Sequence, residues 1–430
     1  MKHDVTGKRV VVAGMGKSGR AAVELLKEHG ANPVPTDSKP QSPDILAPTE
    51  EIFASADLIV LSPGVPVDLP ELTPARRKGI PVIGEVELAG YWLKGPVLGV
   101  TGSNGKTTTT AMTGHILKEA GVPCQVGGNI GTAPAAMIAN SREDQWNVLE
   151  LSSFQLETID EFRVQIAVGL NLTPDHLDRH GSIHTYADAK ARMFETQDES
   201  GFAVLNADDS TVASWAGRTR AAAHWFSRAR TVRPGVWIED GILMSDSGRI
   251  LRVDDIPLRG VHNVENTMAA AAAALLAGAS LDGIAAGISS FPGVEHRIEF
   301  VRDRNGVLYY NDSKATNVDA TEKAVDAFSG NLYIIMGGKD KGSDYTVLKQ
   351  KLAAKAKAVL LIGAAAPKIA SQLDGLPLVA CGTIDKAVEY GAMHAVSGDT
   401  VLLAPACASF DQFDSYEHRG RIFKDLVRSL

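Results

Sequence analysis

One stretch restricts the fold more than any other. The apolar run Val97-Leu98-Gly99-Val100 leads directly into Thr101-Gly102-Ser103-Asn104-Gly105-Lys106-Thr107-Thr108-Thr109. From Thr107 to Ala120 the only internal breaker is Gly114, and Gly121 and Pro123 then stop the helix. A strand that turns through glycines into Lys-Thr at the head of a helix is a way to hold nucleotide phosphates. The glycines let backbone N–H groups approach the oxygens, the lysine reaches the outer phosphates, and the Thr107 hydroxyl is placed for Mg²⁺. The loop is a shortened form, because the full pattern wants a glycine five residues before Gly105 and this chain has Val100 there.

The same strand-then-helix alternation extends along the chain. At 430 residues it exceeds one ordinary core, and about three domains are expected. Arg9–Ala13 reads as a buried strand, Ser18–His29 as a helix stopped by Gly30, and Asp57–Leu61 as another strand. Lys94-Gly95-Pro96 marks a boundary, giving a first domain at 1–94. Strands at Val148–Leu151, Ile166–Leu172 and Ala203–Asn206 and the Ala-rich helix Val264–Ala277 place a second domain at 95–295. Within it, the turn-rich stretch His224–Arg259 reads as antiparallel strands laid on the sheet edge. The break at Phe291-Pro292-Gly293 introduces a third domain, 296–430, with strands at Val307–Tyr310, Leu332–Met336, Val359–Ile362 and Val401–Ala404. The fold class expected is α/β in three domains: Rossmann-like, phosphate-loop ATPase-like with added antiparallel strands, and Rossmann-like again.

Nearly every polar motif falls where a predicted strand ends. The series runs Gly14-Met15-Gly16-Lys17-Ser18-Gly19, Ser62-Pro63-Gly64, the phosphate loop, Glu150-Leu151-Ser152-Ser153 and Asn171-Leu172-Thr173-Pro174-Asp175-His176. It continues with Asn311-Asp312-Ser313-Lys314, Gly337-Gly338-Lys339-Asp340-Lys341 and Pro405-Ala406-Cys407-Ala408-Ser409. Open α/β sheets bind ligands at that edge, so three such edges predict three ligands meeting in one cleft. A net charge of −8 argues against a nucleic-acid surface, so anionic ligands must be held by local Lys, Arg, metal and helix ends. The three cysteines, Cys124, Cys381 and Cys407, make neither a disulfide framework nor a zinc set. The N-terminal residues from Met1 and Lys2 onward do not read as a signal peptide, and no apolar run reaches membrane-spanning length, so a cytoplasmic enzyme is expected.

The individual side chains allow more than one chemistry. Gly14–Gly19 fits the dinucleotide fingerprint, with Asp37 as ribose partner, and taken alone predicts a nicotinamide dehydrogenase; the same turn suits any diphosphate. Glu150 ends an apolar strand where a phosphate-loop enzyme keeps its metal-holding carboxylate, although it also suits a helix cap. His176 lies among acidic residues just past a strand and is open to either a ligand or a structural role. Lys190 sits in an amphipathic helix and by itself reads as a surface lysine. Arg297 and the pair Asp312/Lys314 suit phosphate and carboxylate clamps, and equally surface ion pairs.

Together these segments resemble the Mur ligase family, which builds the peptide of the bacterial cell-wall precursor. The resemblance covers the whole chain. It is carried by Gly102–Thr107, Gly127-Gly128-Asn129-Ile130-Gly131, Leu149-Glu150-Leu151-Ser152-Ser153-Phe154-Gln155-Leu156-Glu157, Asp175-His176-Leu177-Asp178 and His262-Asn263-Val264-Glu265-Asn266. In the third domain it rests on Asn311-Asp312-Ser313-Lys314-Ala315-Thr316-Asn317 and Pro405–Phe413, which look like the D-glutamate-adding branch. The resemblance implies an ATP-dependent ligase that adds D-glutamate to UDP-N-acetylmuramoyl-L-alanine through an acyl phosphate and a tetrahedral intermediate. It implies ATP contacts from Gly102, Ser103, Asn104, Gly105, Lys106, Thr107, Thr108, Asn266, Arg297 and Asp312. It implies Mg²⁺, as two ions, on Thr107, Glu150, His176 and Lys190, the lysine being carbamylated by CO₂; Lys106, Glu150, His176 and Lys190 would carry the catalysis. The UDP-linked substrate falls to Lys17, Ser18, Ser38, Lys39, Gly64 and Asn129, and D-glutamate to Lys314, Thr316, Lys341, Ser409 and Tyr416. Tyr416 stands where the family pattern has Phe, adding a hydroxyl. Only small molecules are implied as partners, with the chain a monomer. Folylpolyglutamate synthase shares the phosphate loop and the glutamate substrate but has no use for the Gly14–Gly19 domain. A nucleotide-switch module would leave the third motif set idle.

Overall fold

The computed structural model describes residues 3–430 and, within them, every side chain but that of Asp178; Met1 and Lys2 lie outside the described residues. Three sheets form in chain order. The first holds β1 (Arg9–Ala13), β2 (Asn32–Thr36), β3 (Leu58–Leu61) and β4 (Val82–Gly84), all parallel, in the order β2-β1-β3-β4. Val10, Val11 and Val12 are all buried, as an all-apolar strand must be when helices cover both faces.

The second sheet has nine strands. They are β5 (Val97–Thr101), β6 (Cys124–Gly128), β7 (Trp146–Glu150), β8 (Ile166–Gly169), β9 (Phe202–Asn206), β10 (Ala222–Ser227), β11 (Gly235–Glu239), β12 (Ile242–Ser245) and β13 (Gly248–Arg252). Their order is β13-β12-β11-β10-β9-β8-β5-β7-β6. The expected antiparallel edge is narrower than the sequence suggests: β10 and β11 run parallel to β9, and only the pairs β11–β12 and β12–β13 are antiparallel. The reason lies in turn chemistry. Asp240 and Gly241 both take positive φ (50° and 72°) and close a tight hairpin between β11 and β12. Arg228–Pro234, between β10 and β11, offers no such pair.

The third sheet comprises β14 (Glu299–Arg304), β15 (Val307–Asn311), β16 (Leu332–Gly337), β17 (Ala356–Ile362), β18 (Leu378–Gly382) and β19 (Thr400–Leu403), in the order β14-β15-β19-β16-β17-β18. All pairs are parallel except β14 with β15. β14 was not anticipated, because its Glu-Phe-Val-Arg-Asp-Arg run has no sustained apolar pattern. The chain divides into two compact units, one of residues 1–256 with 264–291 and one of 257–263 with 292–430.

Inside the first unit, two buried glutamates of the short helix Glu85–Gly90 that follows β4 tie the first sheet to the second. Glu85 Oε1 accepts the Ala135 N–H at 2.7 Å. Glu87 accepts three backbone N–H groups, from Asp160, Glu161 and Phe162, at 2.8, 3.0 and 3.0 Å. A carboxylate so far from water needs such donors. Among the described residues no helix is long and apolar enough to cross a membrane.

Candidate functional site

The sheet order explains how distant segments reach the phosphate loop. β5 lies between β7 and β8, so the residues after β7 and β8 flank the loop that follows β5. Asn171 and Thr173, beyond β8, grip it: Ser103 N donates to Asn171 O (2.9 Å), Asn104 N to Asn171 Oδ1 (2.9 Å) and Ser103 Oγ to Thr173 O (2.9 Å). Gly105 begins the helix Lys106–Glu119 at φ 85°, and a Cβ there would lie 2.1 Å from Asn266 Oδ1. Only glycine fits both the left-handed backbone and that contact. Asn266 thus sits directly against the loop, and Thr107 and Thr108 are buried in the first helical turn, where unpaired N–H groups favour anions.

Two lysines converge on one carbonyl. Lys106 Nζ donates to Gly102 O (2.8 Å) and Ser103 O (2.9 Å), and Lys190 Nζ donates to Gly102 O at 2.9 Å. Lys190 is 1% exposed, so the surface reading of this residue is wrong. It projects from the helix Ile183–Glu195 beneath the Tyr186 ring, 4.5 Å from the centroid. Burial and then the Lys106 charge hold its amine well below the ordinary lysine range, with Asp175 and Glu150 opposing.

Glu150 ends β7 and is buried. Its Oε1 accepts from Asn129 Nδ2 at 2.7 Å, because β6 delivers Asn129 beside it. Its Oε2 has no hydrogen-bond partner among the described residues, which in a dry site asks for a cation. It does not cap the next helix: Ser152 does, in a capping box with Gln155. His176 is exposed, takes φ 51°, and lies 3.5 Å from Asp175 Oδ2 with its ring 4.9 Å from that of Phe154. Among the described residues no three His, Cys, Asp or Glu cluster as metal ligands.

In the first sheet, β1 lies between β2 and β3, so the Gly14–Gly19, Asp37–Lys39 and Ser62–Gly64 segments adjoin. Lys17, Ser38, Lys39 and Gly64 are exposed there, and Ser18 is half-buried. Asp37 accepts from Met15 N at 2.7 Å and Lys39 N at 2.9 Å. It therefore closes the glycine turn from within, a different task from binding a ribose, and the dehydrogenase reading loses its partner residue.

The second unit repeats the arrangement, with β19 between β15 and β16. Asp312, past β15, is buried, and burial raises its carboxyl to about 7 against the opposing charge of Arg297. It accepts from Ile298 N at 3.3 Å. Arg297 itself is exposed, between His296 (φ 66°) and Ile298 (φ 42°), both in left-handed backbone, which the β-branched Ile298 adopts only under constraint. Lys314 Nζ stands 5.8 Å from the Tyr416 ring centroid, and the Thr316 N–H returns to Lys314 O. Ser409 is buried and Lys341 exposed.

Arg419 escaped the sequence reading. Fully buried in the helix Tyr416–Ser429, it donates to Ser313 Oγ (2.9 Å), Ser313 O (2.8 Å) and Cys407 O (3.2 Å). Ser313 Oγ in turn donates to Tyr416 O at 2.8 Å. One guanidinium thereby joins the Asn311–Lys314 loop, the Pro405–Ser409 loop and the helix that carries Tyr416. Asn171 and Tyr186 were likewise overlooked as supports of the phosphate loop and Lys190.

Comparison with known proteins supplies the family. Residues 8–84 match the family model described as Mur ligase MurD-like, N-terminal domain, 100–274 the Mur ligase middle domain, and 296–407 the Mur ligase, glutamate ligase domain. A UDP-N-acetylmuramoylalanine--D-glutamate ligase of Solibacter usitatus is 56% identical, over 99% of this chain and 98% of its own length. One of the same name from Acidobacterium capsulatum is 50% identical, over 99% and 97%. Among solved structures, the UDP-N-acetylmuramate-alanine ligase of Thermotoga maritima shares the fold with a TM-score of 0.63 at 19% identity, covering 98% of this chain and 99% of that one. With relatives this similar along their entire length, the chain belongs to the Mur ligase family.

Proposed function

We propose that this chain is an ATP-dependent ligase that joins D-glutamate to UDP-N-acetylmuramoyl-L-alanine, giving ADP and phosphate, in building the peptidoglycan precursor on which cell wall, shape and division depend. The observation that carries the reading is the pair of lysines on the Gly102 carbonyl beside the unpartnered Glu150 oxygen. Full-length similarity to ligases of that name supports the choice of substrates.

The chemistry requires a carboxylate to attack a polyanion, and the two repel. Positive groups must therefore stand where they meet. Lys106, the N–H groups of Gly102–Thr108 and the start of the Lys106–Glu119 helix supply them on the ATP side. Asn266 borders the loop, and Arg297 and Asp312 are assigned to ATP as well. The substrate carboxylate takes the terminal phosphoryl group; the neutral amine of D-glutamate then adds to the acyl phosphate, and the tetrahedral adduct expels phosphate.

Thr107, Glu150, His176 and Lys190 suit Mg²⁺, and the buried, unpartnered Glu150 oxygen fits such a cation. When bound, the ions supply charge that draws phosphate and carboxylate together. Lys190 joins this set only as a carbamate. Burial and the Lys106 charge lower its pKa, which favours the neutral amine, the form that takes up CO₂ to become an anionic oxygen ligand. Lys17, Ser18, Ser38, Lys39 and Gly64 line the first sheet's edge for the uridine nucleotide, with Asn129 toward the sugar. Lys314, Thr316, Lys341, Ser409 and Tyr416 take D-glutamate, whose two carboxylates want ammonium and hydroxyl groups.

We assign the domains to 1–94, 95–295 and 296–430, and the working form to a cytoplasmic monomer carrying two magnesium ions. The test mixes the protein with ATP, Mg²⁺ and UDP-N-acetylmuramoyl-L-alanine and measures phosphate release with each candidate amino acid. Release with D-glutamate is expected. Release only with another amino acid removes the substrate assignment and leaves the ligase class standing.

A further inference from the structure

The two loops given above to the amino-acid substrate are joined beneath the surface by one phenol oxygen. Tyr345 is fully buried in the core of the second unit, among Leu348, Ile369 and Met336. Its hydroxyl donates to Asp340 Oδ1 at 2.9 Å and lies 2.9 Å from Cys407 Sγ. Because the single phenol proton goes to the carboxylate, the thiol S–H donates to the phenol oxygen, and a chain runs from Cys407 through Tyr345 to Asp340. Asp340 also accepts from Lys368 Nζ at 2.8 Å and Ser343 N at 3.1 Å; the Lys368 bond is the main reason its carboxyl titrates far below the usual range.

Each end of this chain adjoins a residue assigned to the amino acid. Lys341 follows Asp340 directly, and Ser409 lies two residues beyond Cys407. The loops also touch through backbone, Lys339 N donating to Ala408 O at 2.8 Å. That contact needs Gly338, where a Cβ would meet Ala408 O at 2.2 Å. The backbone contact ties the loops at Lys339 and Ala408, and the side-chain network ties them a second time at Asp340 and Cys407. Packing alone does not ask for the hydroxyl, since a phenylalanine ring would fill the same volume, and burying a hydroxyl is unfavourable unless it is bonded.

We propose that Tyr345 is a positioning residue for the amino-acid substrate. Its hydroxyl fixes the loop bearing Lys341 against the loop bearing Ser409, so that an ammonium and a hydroxyl meet the carboxylates of one substrate at a set separation. The proposal rests on the role assigned above to Lys341 and Ser409.

Tyr345→Phe removes one oxygen and leaves the ring. The wild-type protein, assayed for phosphate release with D-glutamate and other amino acids, tests the functional reading; the ratio of variant to wild type, with whichever amino acid is accepted, tests the role of Tyr345. The expected result is a KM for the amino acid raised roughly ten-fold, with the KM values for ATP and the UDP-linked substrate, and kcat, within about two-fold. Asp340→Asn reproduces the effect, and the double variant adds little to either single one. An unchanged amino-acid KM overturns the proposal, as does a general rise of every KM together with a lower melting temperature. Should the wild type accept no amino acid, the functional reading fails. The coupling is then read from amide hydrogen exchange at 339–343 and 407–409, which Tyr345→Phe must accelerate in both loops; acceleration in neither or in only one refutes it.

Discussion

Lys190 shows how much a single side chain alters the chemistry available here. As an ammonium it would be repelled by Lys106 and would oppose a metal ion; as a carbamate it adds an anionic oxygen beside Glu150. Lys190→Arg keeps length and charge but cannot take up CO₂. It is expected to lower phosphate release roughly a hundred-fold or more, and to abolish the carbamate carbon resonance that wild type shows after incubation with ¹³C-bicarbonate. Full activity in the variant, or no resonance in wild type, removes the carbamate from the mechanism. Asp37 teaches the converse. In sequence it has the spacing of a ribose-binding acid, yet in the fold it accepts the Met15 N–H of the glycine turn and the Lys39 N–H of its own loop. Spacing alone does not distinguish a carboxylate aimed at a ligand from one aimed at its own loop.

At the level of elements, both residues that composition would place at the surface sit within apolar stripes. On the helix Ile183–Glu195, Lys190 falls four residues after Tyr186 and four before Phe194, all three buried. On the helix Tyr416–Ser429, Arg419 lies on one line with Phe423 and Val427. A cation at i±4 from buried apolar residues is a readable sign of burial, and it would have found both. The strand ends were legible because glycines, prolines and polar residues follow apolar runs there. β14 and the parallel run of β10 with β11 were not, since their side chains lack an apolar period and pairing direction depends on where the chain returns. Arg419→Leu leaves the Ser313 and Cys407 acceptors without their donor. It should destabilise the second unit by about 3 kcal/mol, seen as a lower urea midpoint for that unit, and raise the amino-acid KM as the two loops and the helix loosen. An unchanged midpoint would mean that the loops hold without the guanidinium.

For the molecule as a whole, a buried acid at the seam inside the first unit makes stability depend on pH. Burial raises the Glu85 carboxyl from 4.5 to about 7 in the fold, and its Oε2 has no hydrogen-bond partner among the described residues. The stability this confers is complete below pH 4.5 and is lost as pH rises through 7. Glu85→Gln, which keeps the acceptor for Ala135 N, should therefore gain on wild type as pH climbs across that window, by up to about 3 kcal/mol at pH 8. Urea midpoints at pH 5, 6, 7 and 8 measure it, and a constant difference between the two proteins would show that Glu85 does not titrate there. Glu87, two residues on, carries a consequence of another kind. Its carboxylate ends three peptide N–H groups that belong to the next domain, so the first ninety-odd residues are not a cassette that evolution or an engineer can exchange at will. Any chimera joined near residue 94 inherits the donors from one parent and the acceptor from the other, and recombination is tolerated only where both parents keep an acid at that place.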